Sequence, residues 1–312
     1  MGYDLISIIG ATATGKTGLA VALADRIKSE IISADSRQVY RNMDIGTGKD
    51  LDEYSLDGHH IPYHLIDIRE AGEKYNLFEY QRDFNACFEE MKSRQINYPI
   101  ACGGTGLYIE SVLKGYQLVP VPENKPLRSR LESCSMAELE LRLRGLIDVH
   151  NTTDFDTKKR VIRAIEIAEY NREHQLEKTT SKPLNSLLIG MEISRDLRRE
   201  RISQRLHERI SQGMIDEVEE LLDNGVSPEN LLYYGLEYKF VTLYLQHALS
   251  KEEMIKQLEI AIHQFSKRQM TWFRGMERRG FHIHWLPVID TIESRVSRIV
   301  DLLKREDDNI KI

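Results

Sequence analysis

The chain has 312 residues, 41% hydrophobic and 29% charged, with a formal net charge of −6. That apolar content suits a folded protein with a sizeable core and excludes wholesale disorder. At roughly 150 residues per domain, the length predicts about two domains, or one with an insertion. A net negative chain is not a general nucleic-acid coat, although a local basic face stays open. Cys87, Cys102 and Cys134 form no CxxC pair, which argues against a disulfide framework or structural zinc and fits a reducing cytoplasm. No basic leader and no run of 18 apolar residues is present, so neither a secretory signal nor a membrane span is expected.

In chain order, Leu5-Ile6-Ser7-Ile8-Ile9 reads as a buried strand, followed by a glycine-containing loop and a helix over about 17–27. Glu30 to Ala34 predicts a second strand ending at Asp35, and His64-Leu65-Ile66-Asp67-Ile68 a third. A helix over about 77–95 should bury Leu77, Phe84, Phe88 and Met91. Pro99 to Cys102 predicts a fourth strand, halted by Gly103-Gly104. Short apolar runs alternating with helices mean βαβ units and a parallel sheet. Pro120, Pro122 and Pro126 punctuate a linker. Residues 127–170 are helical and charged, and Leu187 to Met191 returns as a strand. The reading is a P-loop NTPase-like α/β core over 1–122 and 184–312, flanked by helices, with a small helical insertion over 123–183. The remainder is read as mostly helical. Ser250-Lys251-Glu252-Glu253 is a capping box that opens a long helix with the stripe Met254, Leu258, Ala261, Ile262 and Phe265.

Gly10-Ala11-Thr12-Ala13-Thr14-Gly15-Lys16-Thr17 matches G-x-x-x-x-G-K-[ST] between a strand and a helix. Successive backbone N–H groups there form an anion nest, and the helix N-terminus adds positive potential. Lys16 adds a point charge, and the Thr17 hydroxyl can ligate Mg²⁺. The motif specifies a di- or triphosphate but contacts no base. Asp35 and Asp67 are the candidate acidic partners. Asp67 lies inside its run and reads equally as a buried hydrogen-bonded residue. Asp35 ends its strand, where parallel sheets bind ligands, and is preferred.

Several segments together resemble the tRNA dimethylallyltransferases (tRNA isopentenyltransferases). They are the phosphate loop, Ile31 to Tyr40, Met43 to Lys49, Gly103-Gly104-Thr105-Gly106-Leu107-Tyr108, and Lys267 to Arg274. The resemblance spans about 1–285 in order and is of the bacterial type. It implies transfer of a dimethylallyl group from dimethylallyl diphosphate to N6 of adenine 37 in tRNA, with diphosphate and Mg²⁺ at the phosphate loop. It assigns catalysis to Asp35, Lys16 and Thr105, and the donor to Gly10, Ala11, Thr12, Ala13, Thr14, Gly15, Lys16 and Thr17. It assigns the anticodon loop to Asp35, Ser36, Arg37, Gln38 and Thr105, and to Lys159, Arg160, Val161, Ile162 and Arg163 of the insertion. A cytoplasmic monomer is expected. Alternatives are a small-molecule P-loop kinase, which would bind ATP and show an adenine pocket and a lid, an adenylate isopentenyltransferase, and a non-catalytic RNA-binding protein. Two positions depart from the family. Lys159 replaces a glutamine, and Glu237 stands where an arginine is common. Two accounts are open at the second: a shifted register with Lys239 facing the site and Glu237 facing solvent or a basic partner, which is preferred, or Glu237 in the site with activity reduced or the substrate altered. The arginines from Arg195 to Arg209 are read as intrahelical pairs with Asp196, Glu200 and Glu208.

Overall fold

The computed structural model describes residues 2–56, 58–147, 155, 157–174 and 182–306. Its strands are β1 (Leu5–Ile9), β2 (Ile31–Ser33), β3 (Ser55–Leu56), β4 (His59–His60), β5 (Tyr63–His64), β6 (Ile100–Gly103), β7 (Ser186–Glu192) and β8 (Ile283–Pro287). Six form one sheet in the order β5-β2-β6-β1-β7-β8, every pairing parallel, while β3 and β4 make a separate antiparallel pair. Strands of such a sheet are covered on both faces and read as unbroken apolar runs, as nearly all of β1 does.

The faces can be assigned from alternation along β1. Leu5 and Ile9 join a core with α2 (Leu77–Ser93), α3 (Gly106–Leu113) and the later helices. Ile6 and Ile8 join a second core with α1 (Lys16–Ile27) and a helix over Ile292–Glu306. The helix over 77–95 is observed as α2, closed at its start by a reciprocal capping box of Asn76 and Glu79. Phe84, Phe88 and Met91 are buried in it, whereas Leu77 is only partly buried.

Two expectations are corrected. The third strand is not His64 to Ile68: only Tyr63 and His64 pair, because Leu65 (φ 62°) and Asp67 (φ 55°) turn into the left-handed region. A strand cannot continue through those values. The turn delivers Asp67 to the buried Lys49 ammonium, which also holds Asp44 and donates to the Tyr40 carbonyl at 2.7 Å. The C-terminal third also carries β8, an edge strand the helical reading missed. Phe281, Ile283 and Trp285 alternate with His282 and His284, a period-2 signal that the helical reading passed over.

The chain divides into two compact units, Met1–Gly115 with Lys182–Ile312, and Tyr116–Ser181. The second packs α4 (Lys125–Glu132), α5 (Met136–Leu146) and α6 (Lys158–His174) around Leu127, Leu131, Leu143, Val161, Ile162 and Ile165. In the first, α7 (Arg195–Ser211), α8 (Met214–Asp223), α9 (Pro228–Tyr233), α10 (Leu236–Leu245) and α11 (Lys251–Arg278) follow β7. The Ser250 capping box that opens α11 is present. Its buried stripe continues from Ile262 through Ser266, Gln269 and Phe273, leaving Phe265 40% exposed. Among the described residues no helix is long and apolar enough to cross a membrane.

Candidate active site

The phosphate loop leaves the end of β1 and enters α1 through Gly15, whose φ of 72° caps the helix without a side-chain bond. No acidic residue lies in the first turn of α1, so its positive end is not neutralised locally. Thr14 Oγ1 and Lys16 Nζ both donate to the Ala11 carbonyl, at 2.8 and 2.7 Å, which draws the loop tight. Burial pushes the Lys16 ammonium down to about 8, and Asp35 is among the groups that oppose the shift. Lys16 is partly open at the surface, yet the walls around it remove most of its hydration, and that loss disfavours the charged form.

The nest does not use every amide from Thr12 onward. Thr12 N–H donates to Gln269 Oε1 at 2.9 Å, and Gln269 Nε2 donates to the Gly104 carbonyl at 3.0 Å. One buried amide of α11 thus ties the phosphate loop to the turn after β6. A Cβ on Gly104 would collide with Gln269 Nε2, so only glycine admits this crosslink. Sequence reasoning did not select Gln269. Its signal was a polar residue on the apolar stripe of α11.

The carboxyl ends of β2 and β6 carry the second half of the site, β6 lying between β1 and β2 in the sheet. Asp35 Oδ1 accepts the Arg37 N–H at 2.9 Å, a side-chain turn that fixes the carboxylate just beyond β2. Thr105 Oγ1 accepts the Ser36 N–H at 3.2 Å, and Thr105 N–H donates to the Ala34 carbonyl at 3.2 Å. Gln38 accepts from Ser33 Oγ at 3.0 Å and donates to the Gly48 carbonyl at 3.1 Å. Arg37 lies over the Tyr233 ring, 5.4 Å from its centroid. The selected residues Asp35, Ser36, Arg37, Gln38 and Thr105 therefore stand together, with Asp35 within electrostatic range of Lys16.

The loop from Met43 to Lys49 is anchored from α8 and α10. Glu217 accepts the N–H groups of Asp44, Ile45 and Gly46 at 2.7, 2.7 and 3.0 Å, and the Tyr238 hydroxyl donates to it at 2.6 Å. That pins α10 in a register opposite to the expected one. Lys239 is exposed, with its ammonium over the neighbouring Phe240 ring. Glu237 points inward and shares a cavity with Thr12, Ala13, Arg205 and Arg209. Burial raises the Glu237 carboxyl, Asp35 adds to the rise, and Arg209 and Arg205 oppose it. The reading of the α7 arginines as intrahelical pairs also fails at this end of the helix. Arg205 pairs with Asp50 and turns with Arg209 toward the phosphate loop. Charge spacing along one helix carries no information on a partner 155 residues away.

In the helical unit, Val161 (0% exposed) and Ile162 (2%) belong to its core, so their side chains face α4 and α5 rather than an RNA. Arg163 is committed to Glu166 and, at 2.9 Å, to the Val121 carbonyl. Lys159 and Arg160 face outward.

Among the described residues no trio of His, Cys, Asp or Glu is placed to hold a metal. The donors at the loop instead suit a hard cation held partly by a phosphate ligand, since Mg²⁺ in such sites keeps waters and few protein oxygens. A loop of this sequence, opening a helix from a central strand of a parallel sheet, defines a P-loop α/β protein, with the loop at the strand ends where such sheets receive phosphorylated ligands. The model of the IPP transferase family matches residues 38–276, and an isopentenyl transferase model matches residues 3–61. The chain belongs to the IPP transferase family. It is 58% identical to tRNA dimethylallyltransferase 2 of Phocaeicola vulgatus, over 96% of this chain and 98% of that one. It is 57% identical to tRNA dimethylallyltransferase 1 of Parabacteroides distasonis, over 97% and 99%. Among solved structures, the tRNA isopentenylpyrophosphate transferase of Bacillus halodurans is 31% identical, with a TM-score of 0.71 over 97% of this chain and 98% of that one.

Proposed function

We infer that this chain transfers a dimethylallyl group from dimethylallyl diphosphate to N6 of adenine 37 in tRNA, 3′ of the anticodon, giving N6-dimethylallyladenosine and diphosphate. The observation that carries the reading, in a chain of this family, is the placement of a phosphate loop and the Asp35 carboxylate at the same end of one parallel sheet. A nucleotide hydrolase also places a carboxylate there, as a partner of its metal; membership of this family is what reads Asp35 as the group that takes the amine proton.

The roles follow from where charge develops. As the allylic C–O bond breaks, its electron pair stays on the diphosphate. The loop amides beyond Thr12, the α1 N-terminus and Lys16 are aimed at that negative charge, which is electrostatic stabilisation of a leaving group. The Thr17 hydroxyl would help hold Mg²⁺, which would supply further charge neutralisation. The N6 lone pair is delocalised into the purine and is a poor nucleophile. Asp35 accepts one N–H of that amine and takes its proton as the C–N bond forms. Its Oδ1 is spent on the Arg37 turn, which leaves Oδ2 for the acceptor. Thr105, fixed by Ser36 and Ala34, positions the base against Asp35. The adenine must leave its stack to arrive there, at about a few kcal/mol, less in a single-stranded loop. Lys159 and Arg160 supply outward-facing charge for tRNA phosphates. The reading places the enzyme in the cytoplasm, as a monomer.

The test is incubation with labelled dimethylallyl diphosphate, Mg²⁺ and unmodified tRNA, followed by digestion to nucleosides. Label in N6-dimethylallyladenosine, and none when guanosine replaces adenine 37, is expected. Label in AMP but not in tRNA would reassign the chain to free nucleotides, and phosphoryl transfer from ATP would reassign it to the kinases.

A further inference from the structure

We propose that Arg209 is a direct ligand of the donor's diphosphate, so that α7 builds one wall of the phosphate site. The proposal rests on the prenyl-transfer reading only for the identity of the anion.

Arg209 stands near the end of α7 with 12% of its side chain exposed. Its guanidinium occupies a slot over Gly48, and a Cβ at that glycine would overlap Nη2 and Cζ. Gly48 has φ of 62°, so both its backbone and its bare Cα are matched to the arginine laid across it. The loop carrying Gly48 is fixed by Glu217 and Lys49, and the slot is therefore rigid.

A guanidinium so enclosed would normally be paired. Even Arg279 in the same unit, whose side chain is 41% exposed, is paired, with its Nε 2.6 Å from one oxygen of the buried Glu110 and its Nη2 on the other. Arg209 is different. Among the described residues the only carboxylate oxygen within 4.0 Å of it is Asp50 Oδ2, at 4.0 Å, and that oxygen already serves Arg205. Arg205 Nη2 reaches the same slot, 2.8 Å from the Gly48 Cβ position. Two guanidinium groups thus converge in a place of poor hydration. Burial and Arg205 both disfavour the Arg209 charge, and Glu237 and Asp50 offset only part of it.

What the pair faces is the phosphate loop, since Arg205, Arg209 and Glu237 border one cavity with Thr12 and Ala13. A planar guanidinium fork is suited to two phosphate oxygens at once. An entering diphosphate would compensate both arginines.

The experiment is calorimetric binding of inorganic pyrophosphate with Mg²⁺, alongside thermal melting and tRNA prenylation. Arg209→Ala should weaken pyrophosphate roughly ten- to hundredfold, the worth of a hydrogen bond to a charged group. Arg209→Lys, which keeps the charge but not the fork, should recover part of that. Wild-type affinity in Arg209→Ala would overturn the proposal. So would equal losses in the alanine and lysine variants that track a fall in melting temperature, the behaviour of a structural pin. Lost pyrophosphate binding in Arg209→Ala, with a wild-type protein that does not prenylate tRNA, would keep the proposal and discard the prenyl-transfer reading instead.

Discussion

Glu166 of the helical unit and Glu237 of the α/β unit are both withdrawn from water, and the fold treats them in opposite ways. Glu166 is 1% exposed on its side chain, yet it accepts from Arg128 Nε at 3.1 Å and Nη2 at 2.7 Å, from Arg163, and from the Asn124 N–H. Burial alone would push its carboxyl up, but the bonds from Arg128, Asn124 and Arg163 outweigh burial and hold it below the usual range. Glu237 rises instead, because Arg209 and Arg205 return less than burial removes. Lys16 is displaced in the matching sense, toward its neutral form. A buried charge satisfied by its own unit ties helices together. Around the phosphate loop the cations Lys16 and Arg209 are left under-compensated, and it is their charge that an incoming anion would compensate; perturbation of this kind marks functional sites.

The largest effect that tests this contrast belongs to Asp35. Asp35→Asn keeps the shape of the turn but cannot take the proton, and should slow prenylation by about 10²–10⁴ with an unchanged melting curve. A fast Asp35→Asn enzyme beside a crippled Asp67→Asn one would transfer the proton-accepting role to the carboxylate that Lys49 holds.

Glu166→Gln should do the reverse. It should cost about 1–3 kcal/mol of stability, at the low end because Arg128 and Arg163 stay partly solvated, while the rate per folded molecule survives. The pH sign follows from the lowered Glu166 carboxyl. Its stabilisation is present above the ordinary glutamate range and is lost as pH falls through the lowered folded value. Chemical denaturation between neutral and acidic pH should show that loss in the wild type and a flatter profile in Glu166→Gln. Equal slopes would mean the network contributes nothing.

The smallest effect concerns the outward charges of α6. Replacing Lys159 and Arg160 by alanine should leave stability and donor binding alone. It should lower the salt slope of tRNA binding by about 0.7–0.9 for each phosphate that the protein no longer neutralises. An unchanged slope would make them a solvated helix face. Arg163→Ala should instead behave like Glu166→Gln.

The contrast also explains what was legible in the sequence. The phosphate loop and Asp35 were visible because strand ends and glycine turns are local, Thr105 entered only through the family resemblance, and β1, α1 and α2 followed from periodicity within one segment. Arg209, Glu237 and Gln269 were misread or missed because each acts on groups far away in sequence. Arg209 lies on Gly48, Gln269 joins Thr12 to Gly104, and Glu237 faces the α7 arginines. The α6 and α7 basic clusters look alike as strings. Only packing reveals that Val161, Ile162 and Arg163 hold a helix in place while Arg205 and Arg209 turn toward the phosphate loop. The truncated third strand had the same cause, since nothing in His64 to Ile68 announces that Asp67 must turn back to Lys49.

The most direct measurement is proton uptake when dimethylallyl diphosphate and Mg²⁺ bind at pH 8.5, followed by calorimetry in buffers of different ionisation enthalpy. Lys16 is pushed down to about 8, so its neutral form is populated at that pH. An anion at the loop favours the ammonium, so binding should take up protons, and donor affinity should fall as pH climbs above about 8. The uptake should vanish in Lys16→Ala. Tight binding by the wild-type protein with no uptake at pH 8.5 would contradict the claim that these desolvated charges form the donor site.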